Sequence, residues 1–131
     1  DFLAVQSNLF VAGAWLSTSF QAGVAEHLTQ LPVKSIKDIE NRIDAISDVL
    51  SPLKSFILPG GEVVAAWAHV ARTVCRRCER KVTLLIETEQ LAQDEQLLTI
   101  QIYLNRLSDY LFVVARYLNK VLGTEDRLWK K

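Results

Sequence analysis

Two long helix-compatible runs dominate the chain, one from about Glu62 to Glu89 and one from about Leu97 to Leu122. At 1.5 Å per residue the first alone makes a rod of roughly 40 Å. Only the polar link Gln90-Leu-Ala-Gln-Asp-Glu-Gln96 joins them, and a connection that short turns the chain back on itself, so the two are expected as antiparallel neighbours. Gly123 stops the second run. Its core stripe reads Leu104, Leu107, Leu111, Val114, Leu118 and Val121, while Asn105, Asp109, Phe112 and Arg116 align on another side.

Two further helices precede this pair. From Asp1 to about Ser17 an apolar segment carries Leu3, Val5, Leu9, Phe10, Val11, Ala14, Trp15 and Leu16, which reads as a helix more buried than amphipathic. Residues 18–34 read as a long irregular connection. Ser35 then looks like an N-cap with Asp38 in the capping-box position. Ile36, Ile39, Ile43, Ile46 and Leu50 recur at helical spacing until the chain nears Pro52. Between this helix and Glu62 lies Ser55-Phe-Ile-Leu-Pro-Gly-Gly61, an extended apolar segment whose glycines permit a tight turn or a close backbone approach. The fold class that follows is all-α: one domain over residues 1–131, an antiparallel bundle of four helices.

Leu, Val, Ala, Ile, Glu and Gln fill the long segments, and the 131 residues hold only five glycines and three prolines, a helical composition. Fifteen basic residues balance fifteen acidic ones, so the molecule as a whole has no bias toward nucleic acid or an anionic membrane. No apolar run approaches the roughly 18–20 residues of a membrane span. The opening Asp1-Phe-Leu-Ala-Val5 shows no signal peptide. With two cysteines inside one helix, reduced thiols and a cytoplasmic protein are expected.

Charge is instead concentrated locally. Arg72-Thr-Val-Cys-Arg-Arg-Cys-Glu-Arg-Lys81 packs four arginines, a lysine, a glutamate and two cysteines into ten residues. Helical geometry puts Arg72, Arg76, Glu79 and Arg80 on one side, and Val63, Trp67, Val70, Val74 and Leu85 on the other. Like charges one turn apart destabilise an isolated helix by roughly 0.2–0.5 kcal/mol per pair, so the stripe calls for an anionic partner. Acidic side chains of neighbouring helices are one candidate. A polyphosphate is a second, because guanidinium forks grip phosphate oxygens two at a time. Nucleic acid is a third, disfavoured by the neutral charge balance and the lack of a helix-turn-helix or aromatic platform.

Cys75-Arg-Arg-Cys78 has the C-x-x-C spacing, but the only histidines are His27 and His69, and no second cysteine pair completes a zinc site. Nor do the cysteines open a helix after a strand, as a redox pair would. Helix-packed thiols are the expected reading, and no metal-ligating set is expected. His69 reads as a hydrogen-bonded structural residue, and Asp109 as a partner for a nearby arginine.

Three ordered segments, Phe56-Ile-Leu-Pro-Gly-Gly61, Ala71-Arg-Thr-Val-Cys-Arg-Arg-Cys-Glu-Arg80 and Tyr103-Leu-Asn-Arg-Leu-Ser-Asp-Tyr-Leu-Phe112, closely resemble the signatures of PduO-type ATP:cob(I)alamin adenosyltransferases. The resemblance covers roughly Asp1 to Leu122. It implies a five-helix family bundle, a homotrimer with active sites at subunit interfaces, and transfer of the 5′-deoxyadenosyl group of ATP to cob(I)alamin with release of triphosphate. It implies ATP, Mg²⁺ and cobalamin as ligands, with a cobalamin reductase and a B12-dependent acceptor enzyme as partners. On the same basis Arg76, Arg77, Glu79, Arg80 and Asn105 line the ATP site, Arg72, Arg76 and Glu79 are catalytic, and Phe56 packs beneath the corrin ring. Arg72 would face the neighbouring subunit. The family's Thr-Lys-Thr-Gly-Asp phosphate loop and Asp-Glu-Leu-Asn first helix have no counterpart between Asp1 and Lys131, which leaves a partial site and an alternative role, a catalytically incomplete relative that binds or delivers cobalamin. Cys78 stands where the family usually has alanine.

Overall fold

The computed structural model describes residues 2–18 and 27–130. Within them the chain forms α1 (Phe2–Thr18), α2 (Lys34–Ser47), α3 (Val63–Thr88) and α4 (Glu95–Val121). Each periodic run of the sequence is a helix. The expected connection over 18–34 is irregular where it is described, from His27 to Val33, and otherwise falls on residues 19–26, outside the described part.

Helix directions follow from the side chains that meet. Thr83 lies beside Gln101, Glu79 beside Asn105 and Arg72 beside Phe112, so α3 and α4 run oppositely. Asn8 reaches Tyr103 while Phe2 stacks on Tyr110, which makes α1 antiparallel to α4 as well. Gln96 bonds Leu31 at the start of α2, and Lys120 bonds Val49 beyond its end, so α2 runs alongside α4. The result is an up-and-down bundle in which α1, α2 and α3 all pack on α4. Helix α4 therefore buries more than its leucine stripe. Ile100, Tyr103 and Ala115 are inaccessible, and Ser108, Arg116 and Asn119 are buried too.

Two expectations fail at the ends and faces of helices. Ser35 is not the N-cap of α2. Val33 holds that position, in a helical conformation and with no side-chain cap. A turn from Pro32 starts the helix earlier: the Pro32 and Val33 carbonyls accept the Ser35 and Ile36 N–H groups at 2.8 and 3.0 Å, which places Ser35 inside the first turn and not at its cap. Helix α1 is not mostly buried either. Val5, Ala12 and Trp15 face the core, with Trp15 donating to the Thr29 carbonyl at 2.8 Å, but Leu3 and Phe10 stand in the open, Phe10 at 82% exposure.

The apolar side expected for α3 turns out to face outward. Val63, Trp67, Val70 and Val74 are all exposed, Trp67 at 67%, and the buried side is Ala65, Ala68, His69, Cys75, Val82 and Ile86. Small residues let α3 lie close on α4, whose own larger side chains fill the core.

Asp94, assigned to the link from sequence, caps α4 by accepting the Gln96 and Leu97 N–H groups, each at 3.0 Å. At the other end Gly123, at φ 78°, closes a Schellman turn: its N–H donates to Lys120 O and that of Thr124 to Asn119 O. The charged tail beyond does not fray: Leu128 and Trp129, its residues able to dock, do so. Ile57 and Leu128 form an antiparallel bridge, one link of a contact between residues 124–130 and the loop before α3.

Candidate active site

Arg76, Arg77 and Arg80 project from the middle of α3 as exposed side chains, and Arg72, one turn earlier, is half-buried. Ion pairs among the described residues include Lys37 with Glu40, Arg106 with Asp109 and Arg116 with Asp126. None of the α3 arginines takes part. Acidic neighbours among the described residues therefore do not account for the stripe, which leaves an open, cationic surface suited to an external anion.

The stripe has an ordered edge. Glu79, half-buried, accepts the Asn105 amide at 3.2 Å, and the Asn105 carbonyl oxygen accepts from Arg106 at 2.6 Å. Arg106 also pairs with Asp109 at 2.9 Å, so the expected partner of Asp109 comes from its own helix. Sequence reasoning did not single out Arg106; its place one turn before Asp109 was the available signal. Asn105 and Glu79 are thereby held in one orientation beside the free guanidinium groups of Arg76 and Arg80.

Arg72 lies with its guanidinium carbon 6.0 Å from the Phe112 ring centre, and its buried Nε has no hydrogen-bond partner among the described residues. His69 meets the same ring edge-on at 6.2 Å. Its Nδ1 is buried without a partner among the described residues, which pack the ring without tying it down through Nδ1. Burial and the Arg72 charge hold its pKa below the ordinary value, against a weaker upward pull from Asp126.

The cysteines separate by environment. Cys75 is buried with its Sγ 3.2 Å from the Leu104 carbonyl, and burial above all pushes its pKa up to about 12. Cys78 is exposed, so the expectation of packed thiols holds for one of the pair. A thiol held neutral in the core is neither nucleophile nor metal ligand.

Phe56 stands at the end of the bundle where α3 begins and α4 ends, 81% exposed on the loop that leads into α3. Gly61, at φ 100°, lets the chain pass so close to Asn119 that a Cβ would collide with its side chain. Asn119 uses that approach, donating to Gly60 O at 3.0 Å and accepting Glu62 N–H at 2.9 Å. A cavity of about 510 Å³ opens near this loop, lined by Leu50 to Lys54, Arg116, Lys120, Gly123 to Asp126 and Leu128.

The cobalamin adenosyltransferase family model matches residues 1–118, nearly the whole chain and both of these regions. The chain belongs to the cobalamin adenosyltransferase family. It is 39% identical over 127 residues to a corrinoid adenosyltransferase of Bacillus subtilis (strain 168), a match covering 96% of this chain and 61% of that protein. It is 37% identical over 129 residues to corrinoid adenosyltransferase MMAB of Mus musculus, covering 97% of this chain and 52% of the relative. The chain thus spans between about half and two thirds of these relatives. Among solved structures it is similar to a phenylalanine-to-alanine variant of a PduO-type ATP:corrinoid adenosyltransferase from Lactobacillus reuteri complexed with cobalamin and ATP. There the TM-score is 0.81 at 35% identity, over 98% of this chain and 67% of that one. An arginine-to-lysine variant from the same organism, complexed with ATP, gives 0.79 at 34% identity, over 97% and 67%. For a family member, the arginines of α3 and the exposed Phe56 are the two surfaces to explain.

Proposed function

We propose that the protein transfers the 5′-deoxyadenosyl group of ATP to cob(I)alamin, forming adenosylcobalamin and releasing triphosphate. The observation that carries this reading is the exposed cation surface of Arg76, Arg77 and Arg80, without a carboxylate partner among the described residues, in a chain of this family. A solved relative bound to both cobalamin and ATP supports it.

The chemistry asks little of the protein as a nucleophile. Cobalt(I) supplies the electron pair that forms the Co–C5′ bond and becomes cobalt(III), while the C5′–O bond breaks and its pair leaves with the triphosphate. The protein must align cobalt with C5′ and stabilise the departing charge. Arg76 and Arg80 grip phosphate oxygens, with Arg77 at the edge, and Glu79 with Asn105 orients the nucleotide. Phe56 offers an apolar face to the underside of the corrin and excludes a lower axial ligand. Among the described residues no three His, Cys, Asp or Glu side chains could cage a metal ion. Mg²⁺ would instead be held mainly by the triphosphate oxygens of ATP and by water, with at most one or two protein carboxylates, and would help neutralise the departing charge.

The same reading makes residues 1–131 a single bundle domain that works as a homotrimer with sites at the subunit interfaces. The exposed apolar row of α3, Val63, Trp67, Val70 and Val74, supports it, since a contiguous apolar surface of that kind marks an interface. Arg72 lies on the other side of α3 from that row, half-buried beside Phe112, so its contact with a neighbouring subunit would be made through a separate surface. A cobalamin reductase and a B12-dependent acceptor enzyme complete the set of partners. Free thiols support a cytoplasmic location, and no described helix is long and apolar enough to cross a membrane.

Adenosylcobalamin formation from cob(I)alamin and ATP tests the reading. Arg76→Ala should lower turnover by about 10²-fold or more, because it removes charge aimed at the leaving group, while assembly and melting temperature stay as in the wild type. Near-normal turnover in that variant would sink it. Cobalamin binding without any wild-type turnover would favour a delivery role.

A further inference from the structure

We infer that residues 119–129 are a positioning device for Phe56: Asn119, Asp126 and the backbone of Arg127 to Trp129 set where that aromatic stands. This rests on the proposed role of Phe56 against the corrin. The match to the family ends at residue 118, so nothing in that match assigns these residues a task.

The problem they solve is visible at Phe56. A side chain 81% exposed has almost no packing of its own to hold it. Its backbone is pinned on both sides instead. Trp129 N–H donates to Phe56 O at 2.8 Å, and Leu58 N–H donates to Arg127 O at 2.7 Å, around the Ile57 and Leu128 bridge. An isolated bridge is weak unless its outer strand is anchored. Here the anchor is Asp126, whose Oδ2 accepts from Arg116 Nε at 2.7 Å. The same guanidinium donates through Nη2 to Ser51 O at 2.7 Å, so one buried arginine ties the tail to the chain entering the loop.

The exit from the loop is fixed independently. Asn119 bonds Gly60 O and Glu62 N–H, and Thr124 Oγ1 bonds Glu62 Oε1 at 2.6 Å. Entry, middle and exit of the loop are thus referred to the C-terminal end of α4, the most buried helix of the bundle. A group that must exclude a ligand from one face of cobalt needs placement to about 0.5 Å, which rigid supports provide and a free loop does not.

Trp129→Pro tests this in the full chain, because it deletes the N–H that holds Phe56 O and leaves the preceding residue in an extended conformation. Trp129→Ala keeps the N–H and serves as the control. Trp129→Pro should lower kcat for adenosylcobalamin formation by about tenfold or more, with KM for ATP unchanged. Bound cob(II)alamin should show a return of the lower axial ligand in its electron paramagnetic resonance spectrum. Trp129→Ala should stay near wild type. In a Phe56→Ala background the proline should add little, as expected for two changes acting through one group. Wild-type kcat and spectrum in Trp129→Pro, or an equal loss in Trp129→Ala, would overturn the inference while leaving the proposed activity standing. Absence of turnover in the wild type would overturn both. Should the proline variant not fold, amide exchange in the wild type decides: protected Leu58 and Trp129 amides support the device, and exchange at the free-peptide rate refutes it.

Discussion

His69 shows how much one residue's meaning depends on its surroundings. In sequence it is a histidine one turn before an arginine, open to catalytic or structural use. In the fold it is buried against Phe112, with Nδ1 unpartnered among the described residues. Burial first, and then the Arg72 charge, depress its pKa below the ordinary 6.5, with Asp126 pulling weakly the other way. The unfolded chain therefore takes up this proton at a higher pH than the folded one. The stability His69 contributes is complete above the unfolded value and is lost as pH falls through the folded value. His69→Phe should keep the packing and remove that dependence, so its melting temperature should fall less than that of the wild type between about pH 7.5 and pH 5. Equal falls in both proteins would show that the proton goes elsewhere. The arginines are the opposite case. Their grouping follows from positions within one helix, so it was legible at once, whereas the lack of acidic partners needed the other helices in place.

At the scale of elements, the helices themselves were legible and their ends less so. The periodicity of α2, α3 and α4 depends on residues three and four apart, and each runs within a few residues of the expected span. Caps depend on single side chains and local turns, which explains both the false N-cap at Ser35 and the missed one at Asp94. Asp94→Ala should cost about 1 kcal/mol of stability, since it leaves the Gln96 and Leu97 amides without an acceptor at the start of the central helix. Chemical denaturation of the two proteins measures it. An unchanged midpoint would mean that water or another side chain replaces the cap without loss.

For the whole molecule, the decisive feature is the side of α3 that faces outward. Its row of valines with Trp67 was visible as one apolar side of the helix, but hydrophobicity does not say what such a side packs against. If that row joins subunits, Trp67→Glu should dissociate the assembly, because burying an unpaired carboxylate in an apolar contact costs several kcal/mol. Light scattering should then report a smaller particle, and adenosylation should fall with it. An unchanged mass would place the subunit contact on another surface, with the exposed Leu3 and Phe10 of α1 as the next to test.

Helix identity, the all-α class, the clustering of Arg72, Arg76, Glu79 and Arg80, and the resemblance to a family were all carried by the order of residues, because each depends on short-range spacing. Tertiary structure alone decided which apolar side of α3 meets the core, that Cys75 and Cys78 have separate fates, and that the tail returns to hold the Phe56 loop. Those outcomes join residues far apart in the chain, such as Phe56 with Trp129 and Arg116 with Ser51. No local period encodes such pairs; they form only when the bundle brings the ends of α3 and α4 together.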